Sequence, residues 1–404
     1  MTPGCDLAAA LEVALRRHAL EPWFPRCVDA RDGGFLCDFD RRWQPAGAQV
    51  RMLEFQARQT RVAAVALRLG LDAELWEPIC RHGFAYLRDV MWDAQYGGWY
   101  AACERSGAPR ERGDKHAHGI AYAILACLET AAALELPEAG GLARRAFEWL
   151  DVHAWDHGHG AYWGWLRRDG APYVLLGEAP RAHDRIGVPF GAKDVNVGGD
   201  MVETLTELCR DETARLARER LAWLVAWLER AQRPDGSLPV YYTRELAPIG
   251  EHRHSGYALQ ATYRLPEARA RLGAPLVLGA VERTLRAHAL GNLGATGGPV
   301  GFERREEWWI AFEWLRSSAF AHALGGDEAA GHLDQVRAAW QRIQRFHLDD
   351  DFGGVYAVPQ GPGAPSGKGD AWKDASHETL ALSFAAAWLR GRNVESPLAT
   401  NGVR

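Results

Sequence analysis

The sequence predicts an all-α protein, an (α/α)6 barrel (toroid) of twelve helices with short β-hairpins at one face. Three observations carry that expectation. A turn of glycine and aromatic residues recurs six times, at spacings of about 55 to 77 residues. Pairs of helical patterns lie between successive turns. No stretch reads as a linker, so residues 1–404 are expected to form one domain. Six such units at a regular period close a ring more naturally than they make an open solenoid.

The turns are Asp32-Gly33-Gly34-Phe35, Tyr96-Gly97-Gly98-Trp99-Tyr100 and Gly158-His159-Gly160-Ala161-Tyr162-Trp163, then Asp235-Gly236-Ser237-Leu238, Gly297-Gly298-Pro299-Val300-Gly301-Phe302 and Phe352-Gly353-Gly354-Val355-Tyr356. Glycine supplies positive φ for a tight turn, and the aromatic residues that follow favour short strands.

Leu7 to Leu20 is the first helical pattern, amphipathic, with Arg16 and Arg17 on its polar side. Gln49 to Leu69 pairs with Leu75 to Val90, Ile120 to Leu134 with Leu142 to Trp155, and Met201 to Cys209 with Thr213 to Gln232. Gly256 to Tyr263 with Val277 to Ala289, Trp309 to Ala323 with Ala329 to Phe346, and finally Glu378 to Leu389 complete the twelve. Apolar residues recur at helical spacing, as in Leu216, Leu221, Trp223, Leu224 and Trp227. Runs such as Ala121-Tyr122-Ala123-Ile124-Leu125-Ala126 are apolar all round, which predicts burial between layers.

With 47% apolar and 25% charged residues, the chain has ample material for a core. A net charge of −5 gives no electrostatic case for nucleic acid or an anionic membrane. No signal peptide is legible at the N-terminus, no apolar run is long enough to span a bilayer, and a cytoplasmic enzyme is expected. The seven cysteines form no Cys-x-x-Cys pair and are expected to be buried reduced thiols. The count of 17 Trp against 4 Met suits a protein that stacks sugar rings on aromatic planes, although a Trp-heavy core reads the same way.

The loop Lys368-Gly369-Asp370-Ala371-Trp372-Lys373-Asp374-Ala375-Ser376-His377-Glu378 feeds the last helix and can set an aromatic platform and an imidazole at a cavity mouth. Lys368, Trp372, Lys373 and His377 resemble the K-G-N-x-W-K-x-x-Y-H pattern of the N-acylglucosamine 2-epimerase family, with Ser376 in place of the tyrosine. Gln56-Ala57-Arg58 resembles the family's Q-A-R, and Trp308-Trp309-Ile310-Ala311-Phe312-Glu313 its W-W-x-Q-A-E, with Ala311 for the glutamine. Lys193 to Glu203 resembles K-x-x-N-x-H-M-H-x-x-E. Asn196 and Glu203 hold there, while Gly198 and Asp200 replace both histidines. Gly250 to Tyr257 aligns without gaps on G-H-x-x-E-W-x-W, so that Glu251 takes the catalytic histidine position and His254 the glutamate position; a two-residue slip would bring in His252 instead. His118 takes the tyrosine position of a K-x-x-Y-x-x-A-F helix.

The resemblance implies a cofactor-free sugar 2-epimerase or aldose–ketose isomerase acting on a mannose- or glucose-type sugar. Such chemistry moves a proton through an enediolate, with acid/base groups titrating near neutrality and a cation at the developing oxyanion. His377, Glu251 and His254 are the catalytic candidates, with the Glu251 carboxyl expected to be raised by an apolar cavity. Arg58, His118, Asn196, Asp200, Trp309, Glu313 and Trp372 are expected to bind substrate in one central cavity. No metal is expected, because Asp200, Glu251, His254 and His377 lack a ligand spacing. The expected partner is a small carbohydrate, with the chain a monomer or homodimer. Two other readings stay open: a glycoside hydrolase or carbohydrate lyase using Asp200 and Glu251 as paired carboxylates, or a toroid that binds sugar without catalysis.

Overall fold

The computed structural model describes residues 3–175, 189–293, 307–360 and 367–393. The helices, in chain order, are α1 (Pro3–Ala14), α2 (Leu53–Arg68), α3 (Ala73–Tyr86), α4 (Ala117–Leu134), α5 (Pro137–Ala154) and α6 (Val195–Leu208). They continue with α7 (Arg215–Ala231), α8 (Ser255–Arg271), α9 (Ala280–Leu293), α10 (Trp308–Ala323), α11 (Ala329–Phe346) and α12 (Ser376–Leu389). Single π-helical turns, Leu15–Leu20 and Leu87–Met91, prolong α1 and α3. All twelve helical patterns are therefore helices.

The even-numbered helices form the inner ring. Each packs on the next, from α2 through α4, α6, α8 and α10 to α12, and α12 returns to α2. The outer helices α3, α5, α7, α9 and α11 each lie against the inner helix before them, and α1 lies against α12. The ring is closed. Inner helices are buried nearly all round, as the apolar runs require: every residue of α10 from Trp308 to Ala321 is buried. By length and composition α4 could cross a membrane, contrary to the reading of the apolar runs. It is instead the wall of a barrel, most of its residues buried, with Glu129 ion-paired near its end.

Short strands lead into four inner helices. β1 (Arg51–Met52) precedes α2, β3 (Lys115–His116) precedes α4, β5 (Lys193–Asp194) precedes α6, and β7 (Pro248–Arg253) ends two residues before α8. β1 pairs with β2 (Ala102–Cys103) and β3 with β4 (Trp165–Leu166), while β6 (Pro239–Tyr242) lies between β5 and β7. All these pairs are antiparallel. A strand that turns abruptly into a helix fixes the azimuth of the helix's first turn.

The recurring turns hold this rim together. In four of them an aspartate ahead of the glycines accepts two turn amides through Oδ1 and a buried cation through Oδ2. Asp29 takes Arg51 at 2.5 Å, Asp93 takes Lys115 at 3.2 Å, Asp156 takes Lys193 at 2.9 Å and Asp349 takes Lys368 at 2.8 Å. Lys115, Lys193 and Lys368 are wholly inaccessible, so each depends on its carboxylate. Glycine is required where the next outer helix presses on the turn. At Gly160, φ is +77° and a Cβ would come within 2.0 Å of the Trp223 ring. The fifth turn, Gly297 to Phe302, lies outside the described residues.

Candidate active site

All six inner helices point their N-terminal ends at the hairpin face. Their first turns surround a cavity of about 540 Å³. Arg58, His118, Asn196, His254, Trp309, Trp372 and His377 line it, seven residues drawn from all six inner helices or the segments leading into them.

His377 and His254 both lie against Trp309. His377 is tilted on the indole with ring centroids 5.5 Å apart, and His254 is stacked on it at 4.9 Å and 12°. The indole reaches α8 because residue 256 is glycine; a Cβ there would meet the Trp309 ring at 2.2 Å. The indole Nε1 donates to Glu307 at 2.5 Å.

The two imidazoles are held differently. His377 Nδ1 lies 2.8 Å from Glu313, which is 3% exposed and also accepts from Tyr263 Oη at 2.8 Å. Burial pushes the Glu313 carboxyl up, but the hydrogen bond and charge of His377, with Arg316 and Arg264, hold it below its ordinary value. It is a carboxylate and only accepts, so His377 carries its proton on Nδ1 and presents Nε2 as a base. His254 Nδ1 instead accepts the Gly256 amide at 3.2 Å, capping α8. Its neutral ring therefore carries the proton on Nε2, the tautomer of an acid.

Across the cavity, Arg58 is 6% exposed and stacks over Tyr122 at 4.0 Å. It donates to Asp374 at 3.4 Å and faces His118 Nε2 at 3.4 Å. His118 Nδ1 hydrogen-bonds Asp200, and Asn196 approaches the same nitrogen at 3.3 Å. Asp200 is fully inaccessible. Burial pushes its carboxyl up, and His118, Arg264 and Arg58 more than reverse the shift.

Three expectations need correction. Glu251 is outside the cavity: its side chain is 69% exposed on β7, paired with Arg233 at 2.7 Å and Arg253 at 3.1 Å. Arg233 holds that carboxyl below its ordinary value, the opposite of the expected rise. The short strand leading into α8 turns position 251 away from the cavity and position 254 towards it, which an ungapped alignment cannot show. The side chain of His252 is not among those described. Asp200 and Glu313 do not line the cavity either; they stand behind His118 and His377 and orient them. Asp200 lies inside α6, which starts at Val195 with Asp194 capping it through the Val197 amide at 2.7 Å. The family's first histidine in this stretch is excluded sterically, since even a Cβ at Gly198 would lie 2.6 Å from Trp227.

Sequence reasoning missed Tyr122, Tyr257 and Gln260, which also line the cavity. Tyr122 was within reach, four residues after His118 and so on the same face of α4.

Residues 33–173 match the pattern of the N-acylglucosamine 2-epimerase (GlcNAc 2-epimerase) family. The cellobiose 2-epimerase of Bacteroides fragilis is 24% identical over 365 residues, 87% of this chain and 90% of that one. That of Ruminococcus albus is 23% identical over 287 residues, 68% and 71% of the two chains. The chain is thus similar to the N-acylglucosamine 2-epimerase family over residues 33–173 and to these two cellobiose 2-epimerases over most of its length. Its fold matches the cellobiose 2-epimerase of Spirochaeta thermophila with a TM-score of 0.82 at 21% identity, covering 95% of this chain and 97% of that one. A D-mannose isomerase superposes with a TM-score of 0.79 at 19% identity, covering 96% and 99%. Both solved structures are of sugar-converting enzymes, an epimerase and an isomerase, and this chain shares their (α/α)6 barrel fold.

Proposed function

We propose that the chain is a member of this family and a sugar 2-epimerase or aldose–ketose isomerase in which His377 and His254 form the acid/base pair. The observation that carries the reading is their opposite anchoring beside one indole: His377 through Nδ1 to a carboxylate, His254 through Nδ1 from a backbone amide.

In the proposed cycle His377 Nε2 takes the proton from C2 of the open-chain aldose. The electron pair moves into the C1–C2 bond and the carbonyl oxygen gains charge. Arg58, already desolvated and stacked on Tyr122, stabilises that oxyanion, with the N-terminal ends of six inner helices adding positive potential around the cavity. His254 Nε2–H returns a proton to C2 from the other side, giving the epimer, or to C1, giving the ketose once the O2 proton has passed to O1; the proton taken up by His377 then passes through solvent to His254 and restores both neutral rings. Trp309 and Trp372 provide apolar faces for the sugar ring. No step calls on a metal, and among the described residues no cluster of His, Cys, Asp and Glu is arranged to hold one.

Hydrolysis by Asp200 and Glu251 draws no support, because one carboxylate is sealed behind His118 and the other faces solvent beyond the cavity. The test is incubation with mannose, glucose and cellobiose in deuterated water, followed by NMR. Deuterium at C2 or C1 with the carbon chain and glycosidic bond intact is expected. Release of new reducing ends without carbon-bound deuterium would overturn the proposal.

A further inference from the structure

The later turns of the same inner helices enclose a second cavity, of about 140 Å³, at the opposite end of the barrel from the sugar site. Six arginines and four glutamates line it. Most are paired: Arg61 with Glu203 at 2.7 Å, Arg264 with Glu203 at 2.8 Å, Arg210 with Glu207 at 2.6 Å, and Arg68 with Glu129. Two are not. Among the described residues Arg316 and Arg271 have no carboxylate within ion-pair distance, and the Nε of each is buried without a hydrogen-bond partner. Arg316 is 4% exposed, packs over Tyr263 and Phe384, and makes one hydrogen bond, to Tyr263 Oη at 3.3 Å.

A buried cation without a counter-charge is costly, and breaking such a pair normally destabilises a fold strongly. Helix C-terminal ends offer partial negative charge, but the effect fades within the last turn. That accounts for Arg271, the last residue of α8. It does not account for Arg316, which lies about two turns before the end of α10 at Ala323. Glu203, Glu267 and Glu313 feel the Arg316 charge from beyond ion-pair distance, and burial pushes the Glu267 carboxyl up to about 7, so that carboxyl offsets the charge only in part at neutral pH. The space is that of a few waters or one tetrahedral oxyanion.

We infer that this far cavity is a phosphate site, in which Arg316 and Arg271 bind a phosphate dianion, either free or carried by a small phosphorylated metabolite. Guanidinium groups from neighbouring helices α8 and α10 provide the charge-assisted donors such an anion needs. The inference is independent of the chemistry in the sugar cavity. Arg316 also donates to the Tyr263 hydroxyl that holds Glu313, the partner of His377, so its replacement is expected to disturb turnover. Arg271 touches none of that machinery.

The experiment is isothermal titration of the full chain with inorganic phosphate and, separately, with glucose 6-phosphate. Wild type, Arg271→Gln and Arg316→Gln are compared, each checked for helical circular dichroism. One-site binding of phosphate is expected, weakened about tenfold or more in Arg271→Gln while sugar turnover stays at the wild-type level. Tighter binding of glucose 6-phosphate would assign the site to a phosphorylated metabolite, and binding of inorganic phosphate alone to the free ion. Should Arg316→Gln fail to fold, Arg271→Gln decides by itself. Absence of binding to wild type, or binding that Arg271→Gln leaves unchanged, overturns the inference.

Discussion

Residue 254 and residue 251 show how three positions decide a role. Both are polar and both precede α8, yet one stacks on Trp309 and the other pairs with surface arginines. His377→Asn and His254→Asn are each expected to lower turnover at least about a hundredfold, the lower range for general acid–base catalysis. Glu251→Gln is expected to leave kcat within about twofold, because an exposed ion pair contributes little. Steady-state kinetics with one aldose checks all three; a Glu251→Gln enzyme as impaired as His254→Asn would return the acid role to the carboxylate.

At the scale of elements, α8 and α10 act together on His377. Tyr263 on α8 donates to Glu313 on α10, which holds the imidazole on α12. Tyr263→Phe removes one donor to a buried carboxylate and is expected to lower kcat about tenfold with KM nearly unchanged. A larger effect on KM than on kcat would place Tyr263 in sugar binding instead. The hairpins form a second cooperating set. Asp156→Asn leaves Lys193 buried without its carboxylate and is expected to cost about 3 kcal/mol in urea unfolding at pH 7. Burial pushes the Asp156 carboxyl up, yet Lys193 and the turn amides bring it down to about 2. A depressed carboxyl stabilises the fold above its unfolded value, near 3.9, and that stability is lost as pH falls through the folded value. The gap between Asp156→Asn and wild type should therefore close as pH falls from about 5 to 2.

The whole molecule contains several such groups, and their signs differ. Burial pushes Asp93 and Asp349 up, but Arg168 with Lys115 and Arg41 with Lys368 hold them below the ordinary carboxyl value, so with Asp156 they favour the fold above about pH 4. Burial lowers His347 to about 4, so the unfolded chain binds its proton first and stability falls as pH drops from about 6.5 to 4. Burial raises Asp194 to about 6, which works the other way, since its ionisation in the fold costs stability as pH rises through that value. The wild-type urea midpoint should be broadly flat between pH 5 and 7 and fall steeply below about 4. A midpoint that held to pH 3 would mean that the hairpin carboxylates do not clamp the rim.

Helix periodicity and the recurring turns were enough to determine the twelve helices and their closure into a ring, because each rests on local spacing that neighbours cannot hide. Arg58, Trp309, Trp372 and His377 were legible through the motifs they resemble, and they meet because each lies in the first two turns of an inner helix or in the loop before one, at the same face. Three things depended on the tertiary structure. One was which way β7 turns its side chains before α8, and hence whether Glu251 or His254 enters the cavity. Another was the depth of Asp200 and Glu313, which lie within the buried helices α6 and α10 and only orient a neighbour. The last was the far cavity, whose arginines come from different helices and are ordinary helix residues in sequence. Charge and depth at these places arise between elements, from packing that brings residues sixty to three hundred positions apart into contact. No local pattern encodes such a meeting.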